Sequence, residues 1–269
     1  MPAIAQKILA LDLDSDEGEQ AMLKLIEKEP QIAVKIIGLA NAPIFAVSKC
    51  VTSVADAALL LGITRVKTVT LGIAVMSSLV KKPAGELDVQ GLWVHSLAVA
   101  LAARTLSRAM PRHMRPPEDE IFLAALLHDI GYMVLNHLDP KSSNELHARF
   151  ANETMRSSTD IEAELLEMSH CELGAELARF WELPDSIVTV LRYHHDPRNE
   201  KAAHAQPLAS MINLVEKILS FFGISEHDNA EIHPDEWLKL GIDPAEAEQL
   251  KEQIAKQAEE AKMSAGNFS

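Results

Sequence analysis

The sequence predicts an all-α protein, and three observations predict it. Aromatic residues are only 4% of the 269-residue chain while apolar residues reach 48%, so the core is built from Leu, Ile, Val, Ala and Met. The apolar residues recur at helical spacing in long Ala/Leu runs, with few of the alternations a strand needs. The runs are bounded by helix punctuation, with Ser or Thr at their starts and Gly or Pro at their ends.

Taken in order, EGEQAMLKLIEKEP places Met22, Leu25 and Ile26 on one face of a helix stopped by Pro30. QIAVKIIGLANAP follows, with Ile32, Ile36 and Leu39 in register and a break at Asn41-Ala42-Pro43. Ser53 with Asp56 forms a capping box that opens VADAALLLG, and Gly62 closes it. Thr64 then caps a helix running to Leu79. These short helices imply a compact bundle over 1–82. A DNA-reading helix pair is disfavoured, since TRVKTVTLGIAVM carries only Arg65 and Lys67 on an otherwise apolar surface.

KKPAGELDVQ is a polar linker containing Pro83 and Gly85, and a second helical core spans 90–223. LWVHSLAVALAARTLSRAM is a long helix with His95 in its first turns, and PRHMRPPEDE is a proline-bearing loop. IFLAALLHDIGYMVLNHL reads as one helix, apolar up to His128. Thr159 with Glu162 and Ser169 with Glu172 read as two more capping boxes, the second placing His170 at the first helical position. CELGAELARFWEL runs to Pro184, DSIVTVLRYHH carries His194 and His195 on its last turn, and PLASMINLVEKILSFFG is one more amphipathic helix. The acidic extension, 224–269, ends in AEAEQLKEQIAKQAEEAK, an exposed packing element or one that joins copies of the chain.

A net charge of −14 argues against nucleic acid or an anionic membrane as partner. No uncharged apolar stretch reaches membrane-spanning length, and Met1–Leu13 lacks the basic start and long apolar run of a signal peptide. Cys50 and Cys171 lie far apart without metal-like spacing and read as reduced thiols of a cytoplasmic protein.

The chemistry lies in the histidines. His128 and Asp129 stand side by side in an apolar run, where both are costly to bury without a partner. His95, His170, His194 and His195 sit on or at the ends of other helices, and Glu216 adds a carboxylate on the last apolar one. Taken singly, each histidine reads as an ordinary hydrogen-bonded residue, and His194 and His195 also suit the negative end of a helix dipole. In a bundle, however, the apolar faces converge, and such a set suits one or two divalent transition ions, Fe, Mn or Zn. A plainer alternative is a metal-free network of histidines and carboxylates.

At these residues the chain resembles a known family, the HDOD domains, a divergent branch of the HD metal-dependent phosphohydrolases. The resemblance covers about Leu9 to Gly223 and rests on LIEKEPQIAVKIIGLANAPIF, SVADAALLLGITRVKTVTLG, LWVHSLAVALAARTL, FLAALLHDIGYMVL and SHCELGAELARFWELPDSIVTVLRYHHDP. It implies a two-lobed helical fold with an HD-like helical core. It implies metal ligands at His95, His128 and Asp129, with Glu216 where the family carries a final Asp. His170, His194 and His195 resemble the added histidines of the two-metal, cyclic-dinucleotide-cleaving branch, and in an enzyme Asp129 would take a catalytic part. Two features depart from that branch: Tyr132 replaces the lysine that follows its HDIG and would contact phosphate, and Met133 interrupts its Gly-Tyr-Pro signature. The implied role is a bacterial signalling module acting through a signalling protein or a small phosphorylated ligand, with metal-dependent hydrolysis of a nucleotide or cyclic dinucleotide as the alternative.

Overall fold

The structure, a computed structural model, describes residues 1–13, 15–41, 51–79, 86–220 and 231–265. Cys50, Pro43, Pro83, Gly85 and Gly223 fall outside them. Every regular element among the described residues is helical. The chain divides into two compact units, one formed by Met1–Leu79 with Glu259–Ser269 and the other by Val80–Ala258.

The first unit packs α1 (Ala3–Leu9), α2 (Asp16–Glu27), α3 (Pro30–Ala40), α4 (Val54–Leu61) and α5 (Ile63–Leu79) around Ile8, Met22, Ile26, Ile36, Leu39 and Ala57. Pro30 both ends the α2 segment and opens α3, where its missing N–H costs nothing. Asn41 closes α3 and also bridges to Val51, accepting from its N–H at 2.8 Å and donating to its carbonyl at 2.7 Å. Ser53 caps α4 as expected, accepting from the Asp56 N–H at 3.0 Å. Thr64 is not a cap: α5 already begins at Ile63, directly after Gly62 turns the chain at φ 89°.

The second unit holds α6 (Val89–Ala109), α7 (Glu118–Leu127), α8 (Ile130–Leu138), α9 (Pro140–Asn152), α10 (Ser158–Leu165), α11 (His170–Phe180), α12 (Asp185–Tyr193), α13 (Leu208–Ile218) and α14 (Pro234–Lys239). The last helix, α15 (Ala247–Ala265), begins in this unit. α6 is buried on all sides from Gly91 to Ala103, the behaviour of a central core helix. It packs on α7 and α13, while α11 packs on α8 and α12.

Three local expectations are corrected here. IFLAALLHDIGYMVLNHL is not one helix: the ladder breaks at His128-Asp129, separating α7 from α8. Glu118–Leu138 has the length and hydropathy of a membrane span by composition, but 83% of its apolar 18-residue stretch is buried inside the protein. Thr159 does not open α10, because Ser157 lies ahead of it and accepts from the Asp160 N–H at 3.2 Å. Glu162 is thereby released from capping. The third concerns α11, which ends at Phe180 rather than running to Pro184, with Glu182 left-handed at φ 57°. In the tail, Leu250, Ile254 and Ala258 of α15 are buried, and Gln257 accepts from Thr105 of α6 at 2.6 Å. That stretch is a packed element of the fold.

Candidate metal centre

The break between α7 and α8 is what aims the central pair. His128 leaves α7 with helical torsions, Asp129 does not (φ −98°, ψ 11°), and both side chains are fully buried. Gly131, one turn on, lets α8 press against the start of α11. A Cβ there would lie 1.9 Å from the carbonyl oxygen of His170. Ser169 and Glu172 form the expected capping box, so His170 opens α11 with its ring pointing into the unit. His194 is the residue that closes α12, and its carbonyl is held by Asn213 Nδ2 of α13 at 2.7 Å. His95 comes from α6 and Glu216 from α13.

These side chains meet around one carboxylate. Asp129 Oδ2 lies 3.0 Å from His128 Nε2 and 3.6 Å from His95 Nε2. Its other oxygen, Oδ1, lies 3.6 Å from the Nε2 atoms of both His170 and His194. Glu216 Oε1 completes the first side, 3.1 Å from His95 Nε2 and 3.0 Å from His128 Nε2. All six expected residues other than His195 are buried, none more than 4% exposed. His195 is half-buried at the edge, its ring 4.2 Å from that of His194 and 5.2 Å from that of His170. Beside it lies a cavity of ≈ 230 Å³, lined also by Arg198, Ser210, Asn213, Lys217 and Lys239.

The rings are oriented from behind. His128 Nδ1 donates to the Ala125 carbonyl at 2.7 Å and His194 Nδ1 to the Leu191 carbonyl at 2.9 Å. His170 Nδ1 donates to Glu162 Oε1 at 2.6 Å, and Glu162 Oε2 accepts the His170 N–H at 3.1 Å. With each Nδ1 acting as donor, the neutral rings turn Nε2 lone pairs inward, the tautomer a metal needs.

The residues fit a divalent cation. Both oxygens of Asp129 and His128 Nε2 are buried without a well-directed hydrogen bond, held only by close contacts among ligand-type atoms. His170 Nε2 and His194 Nε2 face each other at 3.3 Å, which is the edge of a tetrahedron with metal–nitrogen bonds of about 2.0–2.1 Å. Protonation tells the same story. Burial disfavours charge on every group, yet Glu216 and Asp129 raise His95 and His128, and Cys171, with Glu162, raises His170. His194 is raised to about 10, burial being outweighed by Cys171 and Asp129. Asp129 and Glu216 are held below the ordinary carboxylate range by the same histidines, against their burial. The cluster draws in positive charge, as protons when no ion supplies it.

Two participants escaped the sequence reading. Glu162 reads as a capping residue by spacing, and only the fold brings it to His170. Cys171 reads as an ordinary thiol because its neighbours are histidines rather than a second cysteine. Its sulfur lies 3.3 Å from His170 Nε2 and 3.9 Å from each nitrogen of His194. Tyr132, fully buried, stacks on His170 with ring centroids 4.3 Å apart and planes 20° from parallel.

Comparison with known proteins agrees with this architecture. The model of the HDOD domain matches residues 1–197, a span that includes His195 and ends before Glu216. The chain is similar to an uncharacterized protein of Treponema pallidum (strain Nichols), 19% identical over 224 residues, which cover 82% of this chain and 42% of that protein. Among solved structures it is similar to a candidate signal transduction protein from Marinobacter aquaeolei VT8, with a TM-score of 0.84 at 23% identity over 99% of this chain and 59% of that one. It is also similar to a candidate phosphohydrolase from Shewanella amazonensis SB2B, with a TM-score of 0.74 at 22% identity over 99% of this chain and 93% of that one. The chain thus spans less than two thirds of the Treponema and Marinobacter proteins. Likeness at these identities establishes a shared fold.

Proposed function

The chain belongs to the HDOD family, and we propose that it is a cytoplasmic signalling module that keeps an HD-type metal site for binding rather than for turnover. His95, His128, Asp129 and Glu216 would hold one ion; Asp129, His170, His194 and His195 would hold a second. Fe, Mn or Zn suits such nitrogen and carboxylate donors. When bound, two such ions can clamp a phosphate and activate water.

The observation that carries the signalling reading is the closure of the site. Catalytic metal sites keep a position open for substrate, whereas structural ones are fully enclosed. Here every ligand but half-buried His195 is buried, and Tyr132 covers His170 with an aromatic ring. That ring brings no positive charge to a phosphate. The Marinobacter protein's name supports the same role. The partner is then a signalling protein, or a small phosphorylated ligand, that senses how the ion sets the packing of α8, α11 and α12.

One observation favours hydrolysis as a second reading: half-buried His195 lines a cavity that also presents Arg198, Lys217 and Lys239. Asp196 and Glu236 line it too and Glu236 pairs with Lys217 at 2.7 Å, which leaves Arg198 and Lys239 as the cations for a phosphate group; the Shewanella protein's name points that way. A screen of phosphomonoesters, nucleotides and cyclic dinucleotides, with the full chain loaded with Mn or Fe, separates the two. The signalling reading expects bound ion and no turnover. Turnover that disappears in both His128→Ala and Asp129→Ala replaces it with the enzyme.

A further inference from the structure

The geometry points to Cys171 as a metal ligand: its thiolate joins His170, His194 and Asp129 Oδ1, so that the second ion position carries sulfur and the first does not. This rests on the metal-site reading above and adds to it a donor that the family resemblance does not supply.

Three placements carry it. The donor atoms of His170, Cys171, His194 and His195 all lie within 4.8 Å of one another. The sulfur faces the inward-turned Nε2 of His170 at 3.3 Å rather than an apolar wall, and the residue is only 6% exposed. Asp129 Oδ1, buried and without a directed hydrogen bond, lies 3.6 Å from the Nε2 atoms of both histidines. A buried thiol serving only as packing needs none of this company.

The consequence is a division of labour between the two oxygens of Asp129. On the Oδ2 side the donors are His95, His128 and Glu216, a nitrogen and oxygen set that accepts Mn, Fe or Zn. On the Oδ1 side a thiolate makes the set softer, which favours Zn or Fe over Mn. Binding at this position releases protons to solvent, since the thiolate and the neutral imidazole are the forms that ligate.

Cobalt(II) makes the sulfur visible, because a cobalt–thiolate bond gives an intense near-ultraviolet charge-transfer absorption that nitrogen and oxygen ligands do not. The full chain, stripped with chelator and kept reduced, is titrated with Co(II). Ion binding is followed by equilibrium dialysis and absorption together. The expected result is a charge-transfer band that grows with one cobalt equivalent. It vanishes in Cys171→Ser, while affinity for that equivalent falls by about 100-fold, the top of the range for losing a supporting partner. The other equivalent and the helical circular dichroism stay unchanged. The wild-type spectrum decides the matter even where the variant folds poorly. Cobalt that binds without the band, or a band that survives in Cys171→Ser, overturns the sulfur ligand and leaves the metal site standing. A chain that binds no cobalt overturns both.

Discussion

At the scale of single residues, Asp129 is the pivot, since each of its oxygens faces a different pair of histidines. Four histidines around it have raised affinity for protons, so an ion bound there would compete with protons for one cluster. This gives a pH signature of definite sign. In the ion-free chain His194 is raised from 6.5 to about 10, so the stability carried by its charged form is full below 6.5 and drains away as pH climbs toward 10. His95, His128 and His170 act in the same direction. Cys171, lowered from 9.0 to about 5 by its histidine neighbours against its burial, acts oppositely up to pH 9. It is one group against four. The melting temperature of the chelated chain is therefore expected to fall between pH 6.5 and 9.5. The ion-loaded chain should hold or gain stability over the same range, because the ion takes the place of the protons. Thermal melts at both pH values, with chelator and with Zn, check this; a chelated chain whose melting point rises with pH contradicts it.

At the scale of elements, the site depends on how closely α8 approaches α11. Gly131 would place a Cβ within 1.9 Å of the His170 carbonyl oxygen, which is backbone and cannot step aside. Gly131→Ala should therefore cost about 1–3 kcal/mol or more as an overpacking change and displace His170, lowering ion content as well as stability. Ser169→Ala removes a cap worth about 1 kcal/mol, yet leaves this approach intact and should keep its ions. Urea midpoints and ion analysis on both variants test the contrast; Gly131→Ala with wild-type ion content would refute the role of the approach. The caps at Ser53 and Ser169 were legible in the sequence because a cap is a local hydrogen bond between near neighbours. The break at His128-Asp129 was not, since apolar residues on both sides continue the helical pattern straight through it. Glu162 and Cys171 were hidden for a different reason. Their roles come from helices brought together by packing, and no spacing rule connects Glu162 with His170, or a single cysteine with distant histidines.

At the scale of the whole molecule, every ligand belongs to the Val80–Ala258 unit, drawn from its central helix and the helices packed around it. On the proposed reading, ion binding and the folding of that unit are one equilibrium. An ion held at a free concentration 100 times its dissociation constant adds about 2.7 kcal/mol to the folded state, a rise in melting temperature of roughly 5–10 °C for a domain of this size. The helical class and the set of inward-facing histidines could be read from composition and periodicity. The enclosure of its inner ligands could not, because it depends on Tyr132 stacking on His170 and on the helices packed around them. The most direct test is the divalent-ion content of the full chain, measured by mass spectrometry together with its melting temperature and set beside Asp129→Asn. The wild type is expected to hold one or two ions per chain and to lose thermal stability with chelator, and Asp129→Asn to hold none while remaining helical. A wild-type chain that carries no ion, and whose melting point ignores Zn, Mn, Fe and chelator alike, would contradict the convergence of these residues on a cation.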